Sequence, residues 1–302
     1  MRALYVLNPS ESKRLIAKAV ARLPEVQKAK EEGEIVIGHG STNVRVAEEI
    51  LGECPKRNNF ISGLIINGVL CVTQAEEKPP LIVIRKGKRV CPELTMEEVL
   101  QNFGADSIFI KGANAVDPAG NVGVFVAHPS AGTIGYGYGI LSARGCRLIV
   151  PIGLEKLIPS VPEASKRCGQ DTCYYTQGIP VGMIPMMNAQ VITELQSMRI
   201  LFDLEAHHIG GGGVNGSEGS VVIAAEGSKE NLDRAISLME AIKGEPPLRP
   251  RKSLCLNCLP TTPSMLATAE EQFAKKKIKY CQFRGKKEEA LPSYIQPKVG
   301  KG

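Results

Sequence analysis

The stretch SIFIKGANAVDPAGNVG, residues 107–123, places a short apolar run directly before a polar segment rich in glycine and asparagine. The apolar run has the length of a buried strand, whereas the segment after it has neither a helical nor a strand period. An open α/β sheet binds its ligand at the carboxyl ends of its strands. We therefore expect the segment 111–123 to be a ligand-binding loop.

Two similar apolar runs, EIVI at residues 34–37 and RLIV at residues 147–150, are separated from this strand by helical patterns. Continuous apolar strands that alternate with helices are typical of a parallel sheet buried on both faces. The sequence therefore predicts an α/β domain at residues 1–165 with a Rossmann-like, open and mainly parallel sheet.

Shorter signals subdivide this region. Hairpins are predicted at Asn67-Gly68 and Lys86-Gly87. One helix is predicted across residues 10–33, and a second helix ends at Gly52. The apolar run at residues 122–127 predicts a strand. Thr95 and Glu98 predict a capping box at the start of a helix.

The pattern changes after residue 176. A helix at residues 191–204 is followed by a strand at 205–209, a glycine-rich loop at 210–219, a strand at 220–225 and a capped helix at 228–244. This order predicts a small α+β subdomain of the split βαβ, ferredoxin-like type at residues 176–245. Proline and charge dominate residues 246–302, which we expect to form a basic, irregular tail that contains cysteines.

The totals restrict the class of partner. The chain has 302 residues and a net charge of +6, with no apolar run of the roughly 18 residues needed to cross a bilayer. Its start lacks the apolar segment of a signal peptide, so we expect a cytoplasmic protein with no membrane partner. The basic tail lacks interleaved aromatic residues, so we expect no nucleic-acid partner. We also expect a homo-oligomer.

The segment IVIGHGSTN, residues 35–43, has two glycines one residue apart between a strand and a helix. Free N–H groups and the helix dipole favour an anion at such a position. The segment matches neither a Walker loop nor a dinucleotide motif. The alternative is a tight turn capped by Ser41 or Thr42. The residues predicted to bind an anionic metabolite are Gly38, His39, Gly40, Ser41, Thr42 and Asn43.

Three motifs together, GHGST at 38–42, KGANAVDPAGNVG at 111–123 and GTIGYGYGILSARGCRLIVPIGLEK at 132–156, give a family resemblance. Residues 34–156 resemble the superfamily of ribose-5-phosphate isomerase, glucosamine-6-phosphate deaminase, CoA transferases and sugar-sensing repressor domains. The resemblance implies the isomerase/CoA-transferase-like fold. It also implies a loop that holds phosphate or an equivalent group.

The chain departs from this pattern where isomerases carry acids. Lys111, Asn114 and Ala115 occupy the positions of the carboxylates of the isomerase loop, and no glutamate segment of the CoA-transferase type is present. The loop is more similar to that of methylthioribose-1-phosphate isomerase and the initiation-factor regulatory subunits. An enzyme acting on a phosphorylated or carboxylated metabolite and a catalytically inactive ligand sensor or regulatory subunit are therefore both open.

Lys111, Asp117 and Glu155 are the predicted catalytic residues, since each follows or lies near a strand end and can carry charge or a proton. The structural alternatives are a solvated lysine, a turn at Asp117-Pro118 and a surface charge beside Lys156. The further residues predicted to bind substrate are Gly112, Asn114, Asn121, Ser130, Gly132 and Thr133.

The four consecutive glycines from residue 210 suggest close backbone approach, anion contact or a lid. Glu218 and Glu194 could reach a shared cleft. The adjacent His207 and His208 would face opposite sides of a strand, which argues against a metal site made by this pair.

Nine cysteines in a chain without a secretory signal are expected to be mostly reduced thiols. Four lie beside apolar runs and are predicted to be core residues: Cys54, Cys71, Cys91 and Cys146. The spacings predict a zinc or iron–sulfur site at Cys168, Cys173, Cys255 and Cys258, with Cys281 as a fifth candidate. The alternatives are unrelated thiols, a redox pair at Cys255 and Cys258, or a metal-bearing scaffold without enzymatic activity.

Overall fold

The computed structural model describes residues 1–74, 77–90, 96–128, 131–256, 258 and 281–296. The helices are α1 Pro9–Arg22, α2 Pro24–Glu32, α3 Ser41–Leu51, α4 Met96–Gln101, α5 Gly132–Arg144, α6 Val161–Ser165, α7 Glu194–Phe202 and α8 Lys229–Ile242. The strands are β1 Arg2–Leu7, β2 Glu34–Ile37, β3 Gly63–Ile66, β4 Val69–Val72, β5 Ile82–Arg85, β6 Lys88–Val90, β7 Ile108–Ile110, β8 Ala115–Val116, β9 Val122–Val126, β10 Arg147–Pro151, β11 Gly182–Met186, β12 Gln190–Ile192, β13 Glu205–Gly212 and β14 Ser220–Glu226.

The six-stranded sheet has the order β12-β10-β7-β2-β5-β6. Its first four strands are parallel, and β5 and β6 extend it antiparallel. The prediction of an α/β fold with mostly parallel strands is therefore confirmed. The three predicted apolar runs form the adjacent strands β2, β7 and β10, and their central residues Val36, Phe109 and Ile149 are fully buried.

The predicted strand at residues 122–127 is present as β9, but it lies outside the large sheet. It pairs antiparallel with β8 and β11 in a separate three-stranded sheet. Gly123 faces Met183 of β11, and an added Cβ there would lie 2.6 Å from the methionine sulfur.

The third sheet joins the two halves of the chain. Strand β1, which the sequence analysis did not predict, pairs antiparallel with β14 from Arg2↔Glu226 to Leu7↔Val221. Conversely, β12 of the predicted second subdomain pairs with β10 of the predicted first domain in the large sheet. Strands thus cross the predicted boundaries at residues 165 and 176 both ways, and the division into domains stays a prediction.

The glycine-rich loop predicted at residues 210–219 is shorter than expected. Gly210, Gly211 and Gly212 pair with Val222, Val221 and Ser220, and the register shifts between His208 and Gly210. A β-bulge and glycine conformations allow β13 to continue through a sequence that lacks strand propensity.

Local turn chemistry agrees with the sequence in several places. Both hairpin turns have positive φ at both central residues, with 51° at Asn67 and 47° at Lys86, as type I′ turns require. Helix α3 ends at a left-handed Gly52. The helix predicted across residues 10–33 is instead two helices, because Pro24 starts α2 after an extended Leu23.

The position of α1 is fixed by partly buried ion pairs. Arg14 contacts Glu48 and Glu49 of α3 and also Glu245 after α8, at 2.7–3.0 Å. Arg45 is 2% exposed and contacts Glu48 and Glu245 as well. Removing one partner of such a network leaves a buried charge unpaired. Within the described ranges, no helix combines the length and apolar character needed to cross a membrane.

Gly178 provides a test of how the segment before β11 docks on the β3–β4 hairpin. Its φ is +102°, and an added Cβ would lie 2.0 Å from the Leu70 carbonyl oxygen, which accepts a hydrogen bond from Ile179 N. We expect Gly178→Ala to lower the free energy of unfolding by more than about 1 kcal/mol in urea titrations.

The matched control is Gly139→Ala in α5, where an added Cβ meets open space. It should raise the free energy of unfolding by about 0.5–1 kcal/mol, since alanine is the better helix former. Equal effects of the two substitutions would contradict the described contact at Gly178.

Candidate active site at the carboxyl ends of the parallel strands

The loops after β2, β7 and β10 meet at one edge of the large sheet. Gly38 N donates to Ile110 O at 2.9 Å, and Lys111 N donates to Ile149 O at 3.0 Å. The buried Asn43 side chain donates to Gly38 O at 2.7 Å and to Ile110 O at 3.3 Å. Asn43, predicted to bind substrate, therefore holds two strand ends together, and its Oδ1 atom accepts no hydrogen bond among the described residues.

The GHGST loop approaches the loop after β7 closely. A Cβ at Gly38 would lie 3.1 Å from Lys111 Cδ, and one at Gly40 would lie 3.7 Å from Gly112 Cα. Gly40 precedes the first residue of α3, and no described side chain caps this helix. First-turn N–H groups have no acceptor within their own helix. Those of Ser41 and Thr42 are therefore suited to an anion, while the Thr42 side chain itself is buried.

His39 does not supply positive charge at neutral pH. Burial lowers its pKa to about 3, and the charges of Lys78 and Lys111 act in the same direction. Its Nε2 atom lies 2.7 Å from Pro79 O, which can only accept, so Nε2 carries the proton. The ring also packs on Phe60 at a centroid distance of 4.8 Å.

Lys111 directly follows β7, and its side chain is half-buried. Burial, with a further contribution from the charge of Lys156, lowers its pKa to about 8. Its Nζ atom donates to Gly112 O at 3.1 Å, and Lys156 Nζ donates to Ala113 O at 3.0 Å. A lysine whose pKa is near neutral can both hold an anion and exchange a proton.

Glu155 lies close to Lys13 and Glu194. Both of its oxygens are buried and accept no hydrogen bond from the described residues, and Lys13 Nζ is 3.8 Å away. A Cβ at Gly153 would lie 1.9 Å from Glu155 Oε2 and 3.2 Å from Glu194 Oε1, so the two carboxyl groups flank this glycine. We use the name charge cluster for five residues: Lys13, Lys111, Glu155, Lys156 and Glu194.

Glu194 is fully buried at the first position of α7. Burial and the neighbouring charge of Glu155 raise its pKa to about 7, although Ser12 and backbone N–H groups oppose the shift. Its oxygens accept from Leu154 N at 3.0 and 3.2 Å. Lys13 is also within electrostatic reach of Glu155, Lys156 and Glu194, and burial lowers its pKa.

The sequence analysis did not select Lys13 or Glu194 as catalytic. Lys13 follows a capped helix start and Glu194 opens a helix, so each has an ordinary local explanation. Only the packing of α1 and α7 beside the strand ends brings them to Glu155. The single sequence signal was the suggestion that Glu194 could reach a cleft.

Asp117 is 5% exposed and serves the loop itself. Its oxygens accept from the backbone N–H groups of Ala119, Asn121 and Val161 and from the Asn121 side chain, at 2.9–3.1 Å. Burial alone would raise its pKa, but these hydrogen bonds lower it. The geometry favours the turn-forming alternative, and a catalytic role of Asp117 stays a prediction.

Asn114 and Asn121 are engaged in the same way. Asn114 Oδ1 accepts from Phe125 N at 3.0 Å, which braces the β8–β9 pair. Asn121 donates to Asp117 Oδ2 at 3.0 Å. Both side chains hold the loop in shape, and their predicted binding of substrate stays a prediction.

Of the residues predicted near the start of α5, Ser130 lies outside the described residues, as do Thr95 and Cys91. Gly132 and Thr133 form the first turn of α5, after a left-handed Ala131 with φ 57°. Lys78 lies within electrostatic reach of both His39 and His128. This places His128 on the same side as the GHGST loop.

The end of the glycine-rich segment borders the cluster. A Cβ at Gly219 would lie 3.9 Å from Glu155 Cβ and 3.2 Å from the ring of Pro9. Glu218 instead accepts from Gly216 N at 2.8 Å within its own exposed turn. The backbone at residue 219, not the Glu218 side chain, therefore covers Glu155.

The predicted metal centre stays a prediction. Within the part of the chain that the structure describes, no group of three or more His, Cys, Asp or Glu side chains is arranged to hold a metal ion. Along β13, His207 is exposed whereas His208 is partly buried, as alternation on a strand requires.

A separate cavity of about 700 Å³ lies among α1, α7 and α8. Its lining includes Lys18, Arg22, Phe202 and Arg234, and Lys18 is paired with Glu49. None of the charge-cluster residues lines it. The candidate site is the charge cluster, because both Glu155 oxygens are buried there and accept no hydrogen bond from the described residues.

No protein-family model matches the chain, and no curated protein is similar to it in sequence. One solved structure is similar, a D-ribose-5-phosphate isomerase in complex with phospho-erythronic acid. It is 20% identical, and the match covers 76% of this chain and 86% of that chain, with a TM-score of 0.28. A TM-score this low carries no argument about fold or activity.

The raised pKa of Glu194 predicts how stability depends on pH. The carboxyl is protonated in the folded chain up to about pH 7, whereas its ordinary value in an unfolded chain is 4.5. The wild type should therefore lose stability relative to Glu194→Gln as pH rises from about 4.5 to 7, and no further above that. Urea unfolding of both proteins at about pH 5, 7 and 8 measures this.

The control is Glu163→Gln, a change at an exposed residue of α6. Its stability difference from the wild type should not vary over the same interval. Parallel pH profiles of the wild type and Glu194→Gln would contradict the assignment.

Proposed function

We propose that the protein is an enzyme that acts on a phosphorylated or carboxylated small metabolite at the charge cluster. The observation that supports this most directly is Glu155, a buried carboxylate without a hydrogen-bond donor, 3.8 Å from Lys13. A buried carboxylate without hydrogen bonds is destabilising, and such groups are concentrated at functional sites.

In this proposal the anionic group of the substrate lies at the start of α3. The uncapped N–H groups of Ser41 and Thr42 would donate to it, and protonated Lys111 beside Gly38 would balance its charge. Because Gly40 approaches Gly112 closely, both loops would contact the same ligand. His39 would remain neutral and fix the position of the loop through Pro79.

Glu155 would act as the general base. For a sugar phosphate, the carboxylate would take the proton from the carbon next to the carbonyl group, and the electron pair would move to the carbonyl oxygen. Lys13 and Lys156 would stabilise the resulting enediolate charge. The proton of the adjacent hydroxyl group would move to the former carbonyl oxygen, and Glu155 would return its proton to the former carbonyl carbon. Asp117 and Asn114 need not take part, since their oxygens already accept hydrogen bonds.

The second candidate is a ligand sensor or regulatory subunit that binds the same anion without turnover. It is favoured by the loop after β7, where Asn114 and Asp117 are engaged in structural hydrogen bonds. An acyl-transfer reaction on a CoA-linked substrate is a further form of the first proposal. These possibilities differ in whether Glu155 removes a proton from the ligand.

Proton abstraction can be measured without knowing the product. We expect the wild type, in D₂O, to exchange the C–H proton next to the carbonyl group of at least one phosphorylated aldose or ketose for deuterium. The loss of this proton signal is measured by proton NMR. Glu155→Gln should slow this exchange by at least about 100-fold, the usual contribution of a general base. The control Glu163→Gln replaces an exposed glutamate and should exchange at the wild-type rate.

Binding should be measured on the same panel by calorimetry. A sugar phosphate that binds with equal affinity to the wild type and Glu155→Gln, without exchange in either, would favour the sensor. Failure of every phosphorylated or carboxylated compound to bind would contradict both candidates.

The pKa of Lys111 predicts how anion binding depends on pH. Because the cationic form is required and its pKa is about 8, affinity for sulfate should be constant below pH 8. Above pH 8 it should fall by up to about tenfold per pH unit, because the fraction of protonated lysine falls at that rate. Sulfate is the suitable probe because its charge does not change in this range.

Lys111→Gln should bind sulfate weakly and with no change between pH 7.5 and 9.5. The matched control Lys229→Gln removes an exposed lysine of α8 and should keep the wild-type profile. A wild-type affinity that does not vary through pH 8 would contradict the role of Lys111.

A further inference from the structure

The C-terminal segment is attached to the β3–β4 hairpin by a second, small core. Its buried members are Val69, Cys255, Phe283, Leu291 and Ile295. Ser253 N donates to Val72 O at 2.9 Å, and Asn67 donates to Ile295 O at 3.4 Å. Five buried side chains provide little burial for this segment, whose described residues form no α-helix or strand, and small units of this kind are commonly fixed by a metal or by disulfides.

Three cysteines, Cys71, Cys255 and Cys281, belong to this small core or pack against it, and Cys258 is hydrogen-bonded to the backbone of Cys255. Cys255 and Cys258 are each 8% exposed, and Cys71 and Cys281 pack against the same cluster. Cys71 is within electrostatic reach of Cys255 and Cys258, and Cys281 is within reach of the same two residues. Cys168, by contrast, is within such reach of Cys173. The structure therefore groups the cysteines differently from the sequence spacing.

The backbone around these cysteines forms turns of the kind found in thiolate sites. Cys258 N donates to Cys255 O at 3.4 Å across the C-x₂-C spacing, and Arg284 N donates to Cys281 O at 3.0 Å. Gly285, with φ 78°, donates its N–H to Cys255 O at 2.7 Å. This bond joins the two cysteine turns. Backbone N–H groups of Phe283 and Arg284 also point at the Cys281 sulfur.

The surrounding charges suit a thiolate centre. Lys252, whose side chain is 8% exposed, places Nζ 3.7 Å from Cys255 Sγ and is held there by Glu288. Arg284 lies within electrostatic reach of Cys258. Four thiolates around a divalent ion carry a net charge of −2, which nearby cations offset.

We propose that Cys71, Cys255, Cys258 and Cys281 bind one zinc ion that fixes the C-terminal segment to the β3–β4 hairpin. The four sulfurs are not yet arranged around one point, so binding requires the side chains to turn inward. Rotation of a cysteine about χ1 moves its sulfur and leaves the backbone in place. This site is independent of the charge cluster and of the function proposed for it.

The test is metal analysis of the full chain, purified anaerobically without chelator and again after addition of zinc alone. We expect one zinc per chain in the wild type and a loss of at least about tenfold in affinity in Cys258→Ser and in Cys71→Ser. Cys168→Ser is the matched control and should keep its zinc, since Cys168 lies outside the proposed set. Thermal unfolding supplies a second measurement: a chelator should lower the midpoint of the wild type and leave that of Cys258→Ser unchanged.

Four outcomes would overturn the proposal. They are loss of zinc in Cys168→Ser but not in Cys71→Ser, iron with acid-labile sulfide in place of zinc, a disulfide between Cys255 and Cys258 in the anaerobic protein, and a wild type that binds no zinc after reconstitution. If Cys258→Ser does not fold, cobalt substitution of the wild type decides, since four-thiolate Co²⁺ has a distinctive visible spectrum.

Discussion

The parallel pairing of β2, β7 and β10 is the constraint on which the rest of the structure depends. Parallel strands end at the same edge of a sheet, so the loops after all three strands are brought together there. The buried Asn43 side chain reinforces this arrangement, because it donates to carbonyl oxygens at the ends of both β2 and β7. Without this register, Gly38 and Lys111 would not meet.

Two groups of buried charges lie near this edge, and they differ in how completely they are paired. Arg45, with Arg14, Glu48 and Glu245, forms a network in which every member has an opposite charge within 3.0 Å. This network joins helices and is structural. In the charge cluster, Glu155 accepts no hydrogen bond from the described residues, which is the condition expected of a group that awaits a ligand.

Segments distant in sequence complete the molecule around the large sheet. Strand β1 pairs with β14, so the first residues of the chain lie in the same sheet as the strand that directly follows Gly219, the residue next to Glu155. The segment after residue 281 packs on the β3–β4 hairpin through a core that contains Cys255. Both attachments close long loops, and each requires the rest of the fold to be in place.

The sequence by itself determined the features that depend on neighbouring residues. Uninterrupted apolar runs specified β2, β7 and β10, and Asn67-Gly68 specified its hairpin, because strand burial and turn geometry are encoded over four to six residues. The GHGST loop was recognisable for the same reason. Only the tertiary structure decided that β1 pairs with β14, that Lys13 and Glu194 reach Glu155, and that Cys71, which resembled a core residue, lies beside Cys255. Each of these contacts joins residues of separate elements that are at least 39 positions apart, and no local pattern encodes them.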